Sequence, residues 1–223
     1  MKTYKTTRLK RGFTLVELLV VIAIIASLAA LSAPVIIQQK KKGDMIIATK
    51  NVQQLFLLLT DFNEDNNSYP NDRTAQADVE LNDYQGDYSN DYLGQLLAAG
   101  YIDSEEIFFA KGGSTSGIDA NADNVFTTKE QNLAAGENGF AYVKNITSRH
   151  GSRAPILMAP MDTSSTFLKE VYGGKGIALR LDGSVQQYKL TKKGQAKIPS
   201  STLFATGEDS VWGDEEPEIL LAK

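Results

Sequence analysis

Phe13 to Ile37 reads FTLVELLVVIAIIASLAALSAPVII, and only Thr14, Glu17, Ser27, Ser32 and Pro34 interrupt its apolar character. As a helix this run is about 37 Å long at about 1.5 Å per residue, enough to cross a bilayer core of about 30 Å. In front of it, Met1 to Gly12 carries Lys2, Lys5, Arg8, Lys10 and Arg11 and no acid. That charge of +5 favours keeping the N-terminus in the cytoplasm, against the opposing pull of Lys40, Lys41 and Lys42 beyond the other end. A secretory signal cut after Ala30-Leu31-Ser32 and a simple one-helix anchor both fit the apolar run. Neither accounts for Glu17, because a carboxylate in lipid is costly unless it finds a partner. Pro34 lacks an N–H and crowds the preceding turn, so a bend or local melting is expected there.

The rest of the chain has a different character. With five of the 23 basic residues in the leading segment, 18 remain against 27 acidic ones, a net −9. An acidic body argues against a nucleic-acid partner. The absence of cysteine excludes disulfides, thiol nucleophiles, iron–sulfur clusters and thiolate zinc sites, and His150 is the one imidazole. The ordinary enzyme repertoire is thereby thinned, and no enzymatic activity is expected.

Past Gly43 the apolar residues Met45, Ala48, Val52, Leu55, Phe56, Leu59 and Phe62 recur at spacings of three and four. That pattern predicts a helix with one apolar stripe, ended by the polar cluster 63–68 and turned away at Tyr69-Pro70. Residues 71–138 read as loop with short helices, one of them over Asp91–Ala99 with Asn90 as N-cap and Gly100 closing it. Strands are predicted at Phe140–Lys144, Pro155–Ala159, Gly176–Leu181 and Ser184–Leu190, the last two joined by the hairpin dipeptide Asp182-Gly183. The stripe of the helix needs a partner surface, and this small antiparallel sheet is the natural one. Residues 200–223 read as a polar, acidic tail that Trp212 is able to anchor.

Lys10-Arg11-Gly12-Phe13-Thr14-Leu15-Val16-Glu17-Leu18-Leu19-Val20-Val21 closely resembles the N-terminus of type IV prepilins and type II secretion pseudopilins. The resemblance implies cleavage after Gly12 by a prepilin peptidase, N-methylation of Phe13, an assembly role for Glu17 and a helix kink at Pro34. It implies an α+β, pilin-like fold in which a long N-terminal helix, its first half in the membrane, packs on a small antiparallel sheet with a loop-rich head. The corresponding organisation is a leader at 1–12, a transmembrane and assembly segment at 13–38, the amphipathic second half of the helix at 39–68, a head at 69–199 and the tail at 200–223. The partners implied are other copies of the chain and related pilins, the peptidase, the inner-membrane assembly machinery and the membrane itself. Localisation follows: a single-pass inner-membrane protein with its head outside the cytoplasm, then a surface or periplasmic filament. An extended pilus and a secretion pseudopilus both remain open, and a membrane-anchored binding protein that uses the helix only as a tether is a third reading. Cleavage would leave an ammonium on Phe13, and pairing it with a neighbouring subunit's Glu17 makes the carboxylate tolerable in an apolar core.

Two clusters invite chemistry. Asp119, Asn121, Asp123 and Glu130 occupy positions 1, 3, 5 and 12 of a twelve-residue calcium loop. Asn124 stands where that loop needs glycine, and asparagine tolerates the left-handed backbone better than most residues. Gly112-Gly113-Ser114 precedes the loop where a helix should lead in, so a calcium site and a polar surface loop both fit. Arg149-His150-Gly151-Ser152-Arg153-Ala154-Pro155 matches the R-H-G-x-R-x-P pattern of histidine acid phosphatases. That chemistry needs a second histidine and a large domain after the motif, and neither is present, so a basic loop entering a strand is expected. Tyr84, Tyr88 and Tyr92, spaced by four, would form a ladder on a helix, but Gly86 interrupts it.

Overall fold

A computed structural model describes residues 14–112, 123–125, 127–198, 203–208 and 210–223. Backbone contacts divide the chain into two units, one up to Lys40 and one from Lys41 onward. Helix α1 (Leu15–Asn66, 52 residues) contributes to both. Its first half is apolar around its whole circumference and is the one described helix long and apolar enough to span a membrane. Ser27 and Ser32 return their hydroxyls to the carbonyls of Ala23 and Leu28, at 2.8 Å each, which satisfies them inside an apolar stretch. The helix continues through Pro34, so of the bend or local melting expected there it is the melting that does not occur. A proline interrupts a single rung of the ladder, and the intact turns on either side hold the rest.

In the second unit α1 becomes one-sided. Met45, Ala48, Val52, Leu55, Leu59 and Phe62 are buried, while Ile46, Ile47 and Leu57 face outward. The buried stripe joins one core with a five-stranded antiparallel sheet. Its strands are β1 (Ala141–Val143), β2 (Pro155–Ala159), β5 (Lys175–Arg180), β6 (Val185–Lys189) and β7 (Ile219–Leu220), in the order β6-β5-β2-β1-β7. A separate hairpin joins β3 (Met161–Thr163) to β4 (Thr166–Phe167). Register is fixed by pairs such as Tyr142 with Leu157, Met158 with Ala178 and Ile177 with Gln187. Every residue of β2 is buried, as a central strand covered on both faces requires. The architecture is thus α+β, with a long N-terminal helix packed on a small antiparallel sheet.

Residues 71–112 and 123–138 hold few aliphatics and fold around buried polar side chains instead. They contain α2 (Asp72–Ala77), α3 (Ser89–Ala98) and a 3-10 turn over Glu106–Phe108. Gln95, fully buried, donates to the carbonyls of Tyr84 and Asn71 and accepts from the Thr74 hydroxyl at 2.7 Å. Asn51 of α1 donates to the Phe109 carbonyl at 2.9 Å and so pins the turn to the helix. Because buried amides are costly unless satisfied, these bonds select one arrangement of otherwise loop-like sequence.

Two expectations are corrected. Asn90 is not the N-cap of α3, which begins at Ser89. Its amide is spent over long range, donating to the Leu133 carbonyl at 2.7 Å and accepting from the Lys223 N–H at 2.8 Å. The cap is closed by Asp91, whose Oδ2 accepts from the Tyr88 N–H. The C-terminal residues are not a tail. β7 extends the sheet beside β1, Lys144 N–H donates to the Glu218 carbonyl at 2.9 Å, and Trp212 is buried with its indole N–H on the Leu203 carbonyl at 2.7 Å. Edge pairing and one large aromatic outweigh the acidic composition of the segment.

Candidate functional site

At the head of α1, Thr14 and Glu17 form a reciprocal cap. The Glu17 carboxylate accepts from the Thr14 N–H and hydroxyl at 2.9 Å, and the Glu17 N–H donates to the Thr14 hydroxyl at 3.2 Å. This is the Thr-x-x-Glu box that satisfies donors with no intrahelical partner. Glu17 therefore has a local role in a single chain, and its carboxylate sits in the first turn, near the N-terminal end to which an ammonium on Phe13 would belong. Gly12 and Phe13 themselves lie outside the described residues. Behind the cap, Leu18, Leu19, Ile22, Ile25, Leu28 and many more are exposed. Such a surface is stable only in lipid or against other apolar helices.

Of the twelve-residue loop, Asp119 and Asn121 lie outside the described residues. Asn124 has the left-handed φ of 53° that its glycine-like position asks for. Its side-chain oxygen accepts from the Glu105 N–H and its own N–H donates to Glu105 Oε2, both at 2.9 Å. This clasp brings Asp123 to Glu105 and Glu137, with one carboxylate oxygen from each lying within 4.8 Å of the others. Glu130 is not in that group; it lines a surface hollow with Glu80, Asp83 and Tyr84. Spacing alone missed Glu105 and Glu137, which stand 18 and 14 residues from Asp123. Burial is the main cause that pushes both carboxyls above their ordinary range. The Asn124 N–H pulls Glu105 back, and the neighbouring carboxylates push both further up.

His150 sits in a 3-10 turn over Ser148–His150 and holds chain segments together. Its Nδ1 accepts from the Thr147 N–H at 3.1 Å, its Nε2 lies 3.4 Å from Glu215, and its ring meets the Trp212 edge at 6.1 Å between centroids. With Arg149, Arg153 and Trp212 it lines an open surface hollow. Those contacts bind 147–153 to 210–215. The three tyrosines do not form a ladder either: Tyr84 and Tyr92 are buried and Tyr88 is exposed. Tyr92 donates to Asp72 at 2.5 Å, and Lys144 pairs with the same carboxylate at 2.8 Å.

The model of the prokaryotic N-terminal methylation motif matches residues 7–33. Over 71 residues the chain is 38% identical to the type IV wide pilus major component PilA4 of Thermus thermophilus, covering 32% of this chain and 54% of that protein. Over 61 residues it is 41% identical to the type II secretion system core protein G of Pectobacterium carotovorum subsp. carotovorum, covering 27% of this chain and 39% of that protein. The chain thus spans about half, or less, of the length of the curated relatives it matches. No solved structure matches it significantly.

Proposed function

We propose that this chain is a structural subunit of a type IV pilus-like filament, cut after Gly12 by a prepilin peptidase, methylated on Phe13 and polymerised through α1. Before assembly it is a single-pass protein of the cytoplasmic membrane with its head outside the cytoplasm. After assembly the apolar first half of α1 exchanges lipid for the same segment of other subunits. The observation that carries this reading is the juxtaposition at the start of α1. The first half of α1, apolar all round, holds one carboxylate, in its first turn and inside the methylation motif. Cleavage places an ammonium on Phe13, and a neighbour's Glu17 is the group of opposite charge that an apolar filament core offers it. The similarity to the type II secretion protein supports a second reading with the same chemistry, a pseudopilin. In either case the head is a scaffold, and His150 serves packing rather than phosphoryl transfer.

Glu17→Gln tests the charge separately from the cap. Glutamine also closes a Thr-x-x-Gln box, so α1 keeps its N-terminus while the carboxylate is lost. The variant should reach the membrane at normal levels and yield few or no sheared filaments. Normal filament number and length by electron microscopy would refute the charge-pairing role and favour the tether.

A further inference from the structure

A hollow of about 920 Å³ lies between residues 145–153 and 210–215. Arg149, Ser152 and Arg153 line it from a single turn, and all three are exposed. The turn is tied down from within and from the β5–β6 hairpin. The Gly151 carbonyl accepts from the Ala154 N–H at 3.2 Å, and the Ser152 carbonyl from the Asp182 N–H at 2.9 Å. Gly151, at φ +78° with open space around it, supplies the backbone bend. Among the described residues neither guanidinium nor the Ser152 hydroxyl has a hydrogen-bond or ion-pair partner. Carboxylates are at hand, since Asp214 and Glu215 line the same hollow. Glu215 nevertheless goes to His150, and Asp214 pairs with neither arginine. Two cations and a hydroxyl on one pre-formed turn are thus left with donors to spare for a ligand.

We propose that Arg149, Ser152 and Arg153 form a binding site for a phosphate monoester carried on a saccharide-sized body. Such a group bears a charge of about −1.5 to −2 on its oxygens, which two permanent cations balance and which two forks and a hydroxyl can meet. A carboxylate carries one charge and is met by one fork, which leaves the second arginine unanswered. Asp214 and Glu215 on the same hollow repel a polyanion, so a nucleic acid is not what these charges select. The hollow is far larger than a phosphate, and it has a neighbour. Thr147, Gly151 and Ser152 also line a second hollow, with Asn63, Asn67 and Ser68 at the end of α1. Amides and hydroxyls of that kind suit the hydroxyls of a sugar. The site binds and does not transfer, because His150 is held by the Thr147 N–H and by Glu215. The R-H-G-x-R segment therefore keeps what holds a phosphate and lacks what would cut it. The proposal concerns the head alone and stands or falls independently of filament assembly.

The test is calorimetric titration of the full-length protein, in a non-ionic detergent, with glucose 1-phosphate, inorganic phosphate, glucose and a short DNA duplex. Glucose 1-phosphate should bind and glucose should not. Arg149→Gln and Arg153→Gln should each weaken that binding about tenfold or more, as loss of a charge-assisted contact does. Ser152→Ala should weaken it about threefold or more, and it serves if the arginine variants do not fold, since the backbone bond to Asp182 stays. Arg73→Gln removes an exposed arginine outside the hollow and should change nothing. Inorganic phosphate should bind more weakly than glucose 1-phosphate; equal affinities would overturn the saccharide-sized body and leave a site for free phosphate. No binding of either phosphate would overturn the proposal, and so would binding that survives in all three site variants. A loss in Arg73→Gln equal to that in Arg153→Gln would also overturn it, because net charge alone would then explain the binding. A duplex that binds where glucose 1-phosphate does not would overturn it in favour of a polyanion.

Discussion

Two leucines two positions apart on α1 should respond in opposite ways to the same truncation. Leu59 is fully buried in the core that the helix shares with the sheet, whereas Leu57 is 62% exposed. Leu59→Ala loses the transfer energy of the removed carbons and leaves a cavity, which for a site at 0% exposure costs about 3 kcal/mol. Leu57→Ala gives up only the covered third or so of a side chain whose full burial is worth about 2 kcal/mol, so its cost is below about 1 kcal/mol. For a protein of this size about 1 kcal/mol moves Tm by about 2–4 °C. Leu59→Ala should therefore lower the melting temperature of the detergent-solubilised protein by about 6–12 °C, and Leu57→Ala by less than about 3 °C. Filament yield should separate them differently: Leu57→Ala leaves a stable head and, on the proposed filament reading, should lower yield by removing exposed apolar surface. Equal shifts in Tm, or a larger one for Leu57→Ala, would refute the packing of this helix face on the sheet.

At the β5–β6 turn, Gly183 has φ of +78° and a Cβ there would lie 2.7 Å from the Phe56 ring, so Gly183→Ala should cost about 1–3 kcal/mol by chemical denaturation. Gly173→Ala, at φ +64° with open space around it, separates strain from clash and should cost less. Partial burial pushes the Asp72 carboxyl up, but hydrogen bonds from Lys144 and Tyr92 outweigh it and leave Asp72 below its ordinary range. A carboxyl lowered by folding stabilises above its unfolded value, about 3.9, and that contribution fades as pH falls through its folded value. Melting curves should accordingly show wild type above Asp72→Asn by a constant margin over pH 5–7 and by a shrinking one toward pH 3; a margin independent of pH would contradict the Lys144–Asp72–Tyr92 contact.

The elements that sequence revealed are those whose signal is local. The long apolar run, the three-and-four spacing of Met45 to Phe62 and the Asp182-Gly183 dipeptide each specify their own conformation within a few residues, and α1 and the β5–β6 hairpin stand where they were expected. What escaped depends on distant partners. β7 is only Ile219–Leu220 in acidic surroundings, and it becomes a strand because β1 presents a free edge to it. Asn90 has the chemistry of a cap and is diverted by Leu133 and Lys223. Glu105 and Glu137 carry no mark in a linear pattern, since the left-handed turn at Asn124 is what brings Asp123 to them. Glu17 is a mixed case. Its place in the motif is legible, yet its reciprocal bond with Thr14 shows a capping role that the motif alone does not disclose.

The central claim is that residues 1–12 are a leader and that Phe13 becomes a methylated terminus facing Glu17. The most direct measurement is the mass and sequence of the N-terminal peptide of protein recovered from membranes of cells that contain prepilin peptidase. The account predicts a peptide beginning with N-methylated Phe13, and an uncut chain beginning at Met1 when Gly12 is replaced by a bulky residue. A mature chain that begins at Ala33, as after a secretory signal, or an intact leader in the presence of the peptidase, would contradict it.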